Sequence, residues 1–330
     1  MDEETSIFKA LWDACDLVVN NRGIGWSWSC SRYAHYGPPQ SRIKYLFKTL
    51  VRIICHALCA DVAAEIAQAL LPTITNGHPT ILDPTLSLLQ RLLHASILTG
   101  IYISIIYCTV DMSYHIIAFC CVSVVGYAPE QWPPVFDAPW RSTSVGDFWG
   151  KRWHQFLRYY VVSLGSQPLI ACLATPTVAP SSTTRKTCQG GATAVEVQTK
   201  RGALSVLSAF FVSGVLHDLS FRALRKGGEP MQVIGFFVMQ GVGVVLERAV
   251  SERWSRVRLT ERPWSWHNAI ARIWVLSWLL VWGIPFVEVT TKAGMYNVQL
   301  FPEPVKPLRV IRAVSDMIIT NLDSFVPHFL

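Results

Sequence analysis

One histidine stands where histidine is costly. The stretch Ala209-Phe-Phe-Val-Ser-Gly-Val-Leu-His-Asp-Leu-Ser-Phe221 places His217 at the end of an apolar run, one turn beyond Ser213 and Gly214. A titratable ring at membrane depth is rare and marks a functional position by default. Burial favours its neutral form over the imidazolium, and a neutral imidazole at pH 7 is what a general base requires. The competing reading is a histidine satisfied by a neighbouring helix or by the membrane interface. Asp218 leaves a helix about 100° from its neighbour, so it is not expected to orient His217.

A second stretch concentrates polar and aromatic residues. Between Gly126 and Phe156 the chain reads Gly-Tyr-Ala-Pro-Glu-Gln-Trp-Pro-Pro-Val-Phe-Asp-Ala-Pro-Trp-Arg-Ser-Thr-Ser-Val-Gly-Asp-Phe-Trp-Gly-Lys-Arg-Trp-His-Gln-Phe. Pro129, Pro133, Pro134 and Pro139 forbid a regular helix in its first half. Ser144 with Asp147 three residues on reads as a capping box that starts one. On that helix Trp149, Trp153, Phe156, Leu157 and Tyr160 form an apolar side. Asp147, Lys151, His154 and Arg158 recur at three- or four-residue spacing as a polar side. Such a helix lies at the membrane surface and turns its polar groups toward a pocket, or serves as a plain interfacial anchor.

Other chemistries lack their signatures. His56, His94 and His115 occupy separate runs without metal-ligand spacing, so each reads as structural and no metal is expected. Cys55, Cys59, Cys108, Cys120, Cys121 and Cys172 lie inside apolar stretches with no paired spacing, and read as small buried residues. No Gly-x-Ser-x-Gly elbow and no phosphate-binding loop occurs. Gly241-x-Gly243, within an apolar run, suits close helix packing.

The elements that must carry these residues are membrane helices. Of 330 residues, 51% are hydrophobic and only 15% charged, with a mean hydropathy of +0.31, against about 25% charged in soluble domains. The net charge of +7 sits in residues flanking apolar runs, which suits lipid headgroups rather than nucleic acid. Long runs with few charges cover 92–110, 112–128, 159–179, 203–216, 231–246 and 269–290, with 49–71 as a weaker candidate holding Arg52, His56, Asp61 and Glu65. These predict an all-α polytopic protein with about six to eight membrane helices, some kinked or re-entrant. Basic residues cluster in 21–48, 141–158 and 248–262, which the positive-inside rule puts on the cytosolic side. Simple alternation allows that only if 112–128 re-enters instead of spanning. Residues 1–20 begin Met-Asp-Glu-Glu, so they are no signal peptide and read as a peripheral interfacial helix. Residues 177–200 read as a mobile polar loop. With helical signals nearly end to end, one membrane-embedded domain over 1–330 is expected.

Three segments resemble one family. Trp132-Pro-Pro-Val-Phe136, the Phe148-Trp-x-x-Arg-Trp-His154 core and Ser213-Gly-Val-Leu-His217 are similar to the wax-synthase-like branch of the membrane-bound O-acyltransferases, and Arg22-Gly-Ile-Gly-Trp26 resembles an entry motif of fungal members. Fungal members usually carry further hydrophobic sequence before that motif, where 21 residues stand here.

The resemblance implies a helical membrane fold with a tunnel meeting at a buried histidine. It implies transfer of an acyl group from acyl-CoA, acetyl-CoA among fungal members, to a hydroxyl of a terpenoid or polyketide alcohol. The family's base maps onto His217 and its second polar position onto His154, which would bind the thioester carbonyl or place the acceptor. Trp149 and Trp153, with Ser213 and Asp147, would line the tunnel and exclude water. Lys151, Arg152 and Arg158 would meet the CoA phosphates by charge alone, with lipid headgroups as the equal alternative. The expected partners are the bilayer, a hydrophobic alcohol and acyl-CoA as co-substrate. No permanently bound cofactor and no nucleic acid are expected, and the expected location is the endoplasmic reticulum membrane. A long-chain wax-ester synthase, a transporter and an inactive scaffold are the rival readings.

Overall fold

In the computed structural model, the described residues are 2–20, 22–24, 26, 40–71, 79–173, 194–224, 229–255, 264–294 and single positions between 301 and 313. Among them the chain is helical, with six long helices: α1 (Asp2–Val19), α2 (Arg42–Leu70), α3 (Leu88–Cys120), α4 (Ala194–Ala223), α5 (Pro230–Ser255) and α6 (Trp264–Lys292). Among the described residues four stretches are long and apolar enough to cross a bilayer: Leu88–Val125, Gly202–Ala223, Pro230–Ser251 and Asn268–Lys292. Their exposed side chains, such as Leu92, Ile97, Phe211, Leu246, Ile273 and Val281, are those of a surface solvated by lipid.

Six to eight membrane helices are expected over the whole chain, and within the described residues the expected runs take these forms. The runs 92–110 and 112–128 join in one continuous helix, which widens into a π turn at Cys121–Val125 and stops at Gly126 with φ 94°. No re-entrant turn separates them. The run 159–179 is broken into Arg158–Val161, a π turn at Val162–Ser166 and Gln167–Leu173. Helix α2 forms over 29 residues but is too polar to be counted. The segment 177–200 lies outside the described residues up to 193; from Ala194 it is the first part of α4 instead of loop. Helix α1 exposes Ile7, Phe8, Leu11, Trp12 and Val18, the apolar residues that an interfacial helix would bury in headgroups.

The backbone clusters into two compact units, residues 1–35 with 134–285, and residues 36–133 with 286–330. In the first, glycines let α4 approach α5 and α5 approach α6. A Cβ on Gly214 would stand 2.8 Å from the Ile234 Cα, and one on Gly243 would stand 2.7 Å from the Trp278 ring. Only glycine permits these approaches, and the packing role expected for Gly243 is met.

In the second unit, α2 lies along α3 over a buried polar cluster. Asp111, 2% exposed, faces His56 Nδ1 and His115 Nδ1, each 3.3 Å from its Oδ2, and Arg52 Nε at 3.9 Å. The two histidines read from sequence as separate thus meet on one carboxylate. Arg42, at the start of α2, donates to the Gly126 and Tyr127 carbonyls at 2.9 and 3.2 Å, capping the end of α3. Glu288 accepts from the Thr80 hydroxyl at 2.7 Å and the Ile81 N–H at 2.9 Å.

Candidate active site

The segment 144–160 begins as its sequence predicts and then departs. Ser144 caps a turn at Val145–Asp147, its hydroxyl accepting the Asp147 N–H at 2.8 Å. The helix widens at once to a π turn, Phe148–Arg152, and ends at Trp153, whose ψ of 156° is extended. A single amphipathic helix is therefore absent. The cause is a set of contacts that local periodicity does not encode. The Arg152 carbonyl accepts the Asp137 N–H at 2.9 Å. The Arg152 guanidinium binds the Asp147 carboxylate at 2.5 Å and the Asp137 carbonyl at 3.1 Å. Arg158 donates to the Gly150 carbonyl at 2.8 Å. Asp147, Arg152 and Arg158 are thereby spent on shaping the segment. Lys151 stays exposed, 4.0 Å from Asp147.

What the π turn presents is aromatic. Trp153 stacks on Phe148 at 5.1 Å and meets Phe136 edge-on at 5.0 Å. His154 sits among Trp153, Phe156 and Phe136 at 5.7 to 6.0 Å. Its Nδ1 is buried without a hydrogen-bond partner. Burial, and then the charge that His217 would carry, push its pKa down to about 4. That second influence puts His217 within electrostatic reach of His154, although 62 positions separate them in sequence. Buried Arg22, from the Arg-Gly-Ile-Gly-Trp stretch, donates to the Pro134 carbonyl at 2.9 Å and stands 6.0 Å over the Phe156 ring.

His217 is held by its own helix. Its Nδ1 lies 2.7 Å from the Ser213 carbonyl. A carbonyl only accepts, so Nδ1 carries the proton and Nε2 keeps a free lone pair. Ser213 thus acts here through its backbone. The Phe237 ring covers the imidazole at 4.3 Å. Asp218, as expected, turns elsewhere and binds Arg222 at 2.7 Å.

Trp149 joins the two parts. Its ring meets Phe210 at 6.1 Å, and Phe236 and Phe237 at 6.2 Å. Its indole N–H donates to Gln240 Oε1 at 3.2 Å. Gln240 is wholly buried, and its Nε2 has no partner. Indole nitrogen only donates, so the amide oxygen must face it and the NH₂ must face away. Sequence reading missed Gln240, although a glutamine within an otherwise apolar run is the kind of intramembrane polar residue that signals function.

Residues 132–239 match the profile described as the membrane bound O-acyl transferase family. The chain is 26% identical over 282 residues to Acetyltransferase ple2 of Rhodocybe pseudopiperita, covering 84% of this chain and 66% of that protein. It is 28% identical to Acetyltransferase spyB of Aspergillus fumigatus over 59% of this chain and 30% of that one. It is 25% identical to a putative long-chain-alcohol O-fatty-acyltransferase of Arabidopsis thaliana over 58% of this chain and 48% of that one. The chain therefore spans between 30% and 66% of these relatives' lengths. The aromatic segment and the intramembrane histidine both lie inside the stretch, residues 132–239, that is similar to the membrane bound O-acyl transferase family.

Proposed function

We propose that the protein transfers an acetyl group from acetyl-CoA to a hydroxyl of a hydrophobic secondary metabolite, such as a terpenoid, within the endoplasmic reticulum membrane. The observation that carries the reading is the 2.7 Å approach of His217 Nδ1 to the Ser213 carbonyl, which favours the tautomer that leaves Nε2 free to accept a proton, with a second imidazole, His154, within electrostatic reach.

The steps balance without a cofactor. His217 Nε2 takes the proton of the acceptor hydroxyl as its oxygen attacks the thioester carbonyl. The tetrahedral adduct collapses, the carbon–sulfur bond breaks, and the imidazolium returns its proton to the departing thiolate. No acyl-enzyme is needed, because the thioester is already activated. His154 and the Gln240 NH₂ supply hydrogen bonds to carbonyl or acceptor oxygens. Trp149 and Trp153 wall the site against water, which would hydrolyse the donor. Lys151 meets a CoA phosphate, while Arg152 and Arg158 act by holding the segment. The names of the fungal relatives support acetyl as the group moved. The plant relatives' names support a long-chain donor as the second reading.

The test is incubation of membranes carrying the protein with radiolabelled acetyl-CoA and a panel of terpenoid and polyketide alcohols, beside a long-chain acyl-CoA arm. A labelled ester formed by the native chain and lost in His217→Ala is expected. Equal turnover by both would remove the assignment.

A further inference from the structure

We propose that Glu247 is a positioning residue that sets the 145–154 segment against α5; this rests on the acyl-transfer reading of the site. Glu247 ends the uncharged stretch of α5 that also carries Phe237 and Gln240. It lies beyond the stretch matched by the family profile, which ends at 239. Within a span, a carboxylate needs partners, and this one has three N–H donors. Its Oε1 accepts the Val145 N–H at 2.6 Å and the Trp274 indole N–H at 2.8 Å, and its Oε2 accepts the Gly146 N–H at 3.0 Å.

Val145 and Gly146 are the first residues of the turn that leads into Trp149 and His154. The opening N–H groups of a helical turn have no partner of their own. Here Ser144 takes the Asp147 N–H and Glu247 takes the two before it. Val145 is fully buried, so water does not replace the carboxylate. Two turns earlier on the same helix, Gln240 holds Trp149. The segment is thus fixed to α5 at two points about 10 Å apart along the helix axis. One point places its start and the other places its central indole, and together they set where His154 falls relative to His217. Both carboxylate oxygens are needed. A glutamine offers one acceptor and would turn an NH₂ toward a backbone N–H.

The decisive comparison is Glu247→Gln beside Trp274→Phe, in purified full-length protein. Glu247→Gln is expected to lower kcat about 10- to 100-fold, with KM for acyl-CoA unchanged, as small misplacements of reacting groups do. It should also speed amide hydrogen exchange across 145–154. Trp274→Phe removes a half-exposed donor and leaves both backbone bonds, so turnover and exchange should stay at the native level. Native kcat and native exchange in Glu247→Gln overturn the proposal. So does an equal loss in both variants, because the carboxylate would then serve only the contact between α5 and α6. The exchange readout needs no substrate. A native chain without transfer activity therefore counts against the acyl-transfer reading while exchange still decides the tether.

Discussion

The bond from His217 Nδ1 to the Ser213 carbonyl decides what each histidine can do. Replacing His217 with alanine should lower turnover by about 10²–10⁴-fold, the contribution of a positioned base, with membrane insertion unchanged on fractionation. His154 makes a different prediction. Its folded pKa of about 4 lies below the 6.5 of an unfolded histidine. Between those values the unfolded chain binds the extra proton, so stability falls as pH drops through the window. The penalty is complete below pH 4 and reaches about 3 kcal/mol. A melting series in detergent from pH 7 to 4 should therefore show a loss that is reduced in His154→Asn. Trp149→Phe would strand the Gln240 carbonyl as well as its NH₂, at about 1–3 kcal/mol, measured as a lower melting temperature.

Elements were legible in the sequence wherever apolar runs were unbroken, and illegible where a distant residue changed the meaning of a local one. Asp111 looked like a break between two runs. It is instead an interior residue of α3, because Arg52 and His56 arrive from α2 to face it. The cap at Ser144 was readable because it is local. The failure of the helix beyond it was not, because Asp137 and Glu247 act from elsewhere in the chain. His217 announced itself by its cost in an apolar run. Gln240, less costly, was passed over, and only its orphaned NH₂ in the fold reveals it. At this level Asp111→Ala should loosen α2 from α3. Breaking a buried pair costs about 3–5 kcal/mol, and the half-exposed Arg52 places this case at the low end. Thermal unfolding followed through a single fluorescent label on α2, in the native background and in Asp111→Ala, checks it. Gly243→Ala, pressing on Trp278, should cost about 1–3 kcal/mol and lower the melting temperature.

For the molecule in its bilayer, the joining of two apolar runs into one helix removes a topological difficulty. Arg42 at the start of α2 touches Gly126 at the end of α3, so the chain leaves α3 on the side where α2 begins, and no re-entrant turn is required. Length adds a further constraint. Thirty-eight residues from Leu88 to Val125 rise about 57 Å, and even at a tilt of 40° they project about 44 Å along the membrane normal, against a hydrocarbon thickness of about 30 Å. A thiol introduced at Val124 should react with a membrane-impermeant maleimide in sealed vesicles of the appropriate orientation, and one at Ile97 should not. With Leu88 at one edge of the oil and the helix along the membrane normal, the 23 residues from Leu88 through Val110 rise about 35 Å, enough to cross it. In that setting Asp111, the next residue, and the two imidazoles that face it come just past the oil, at the level of headgroups and water.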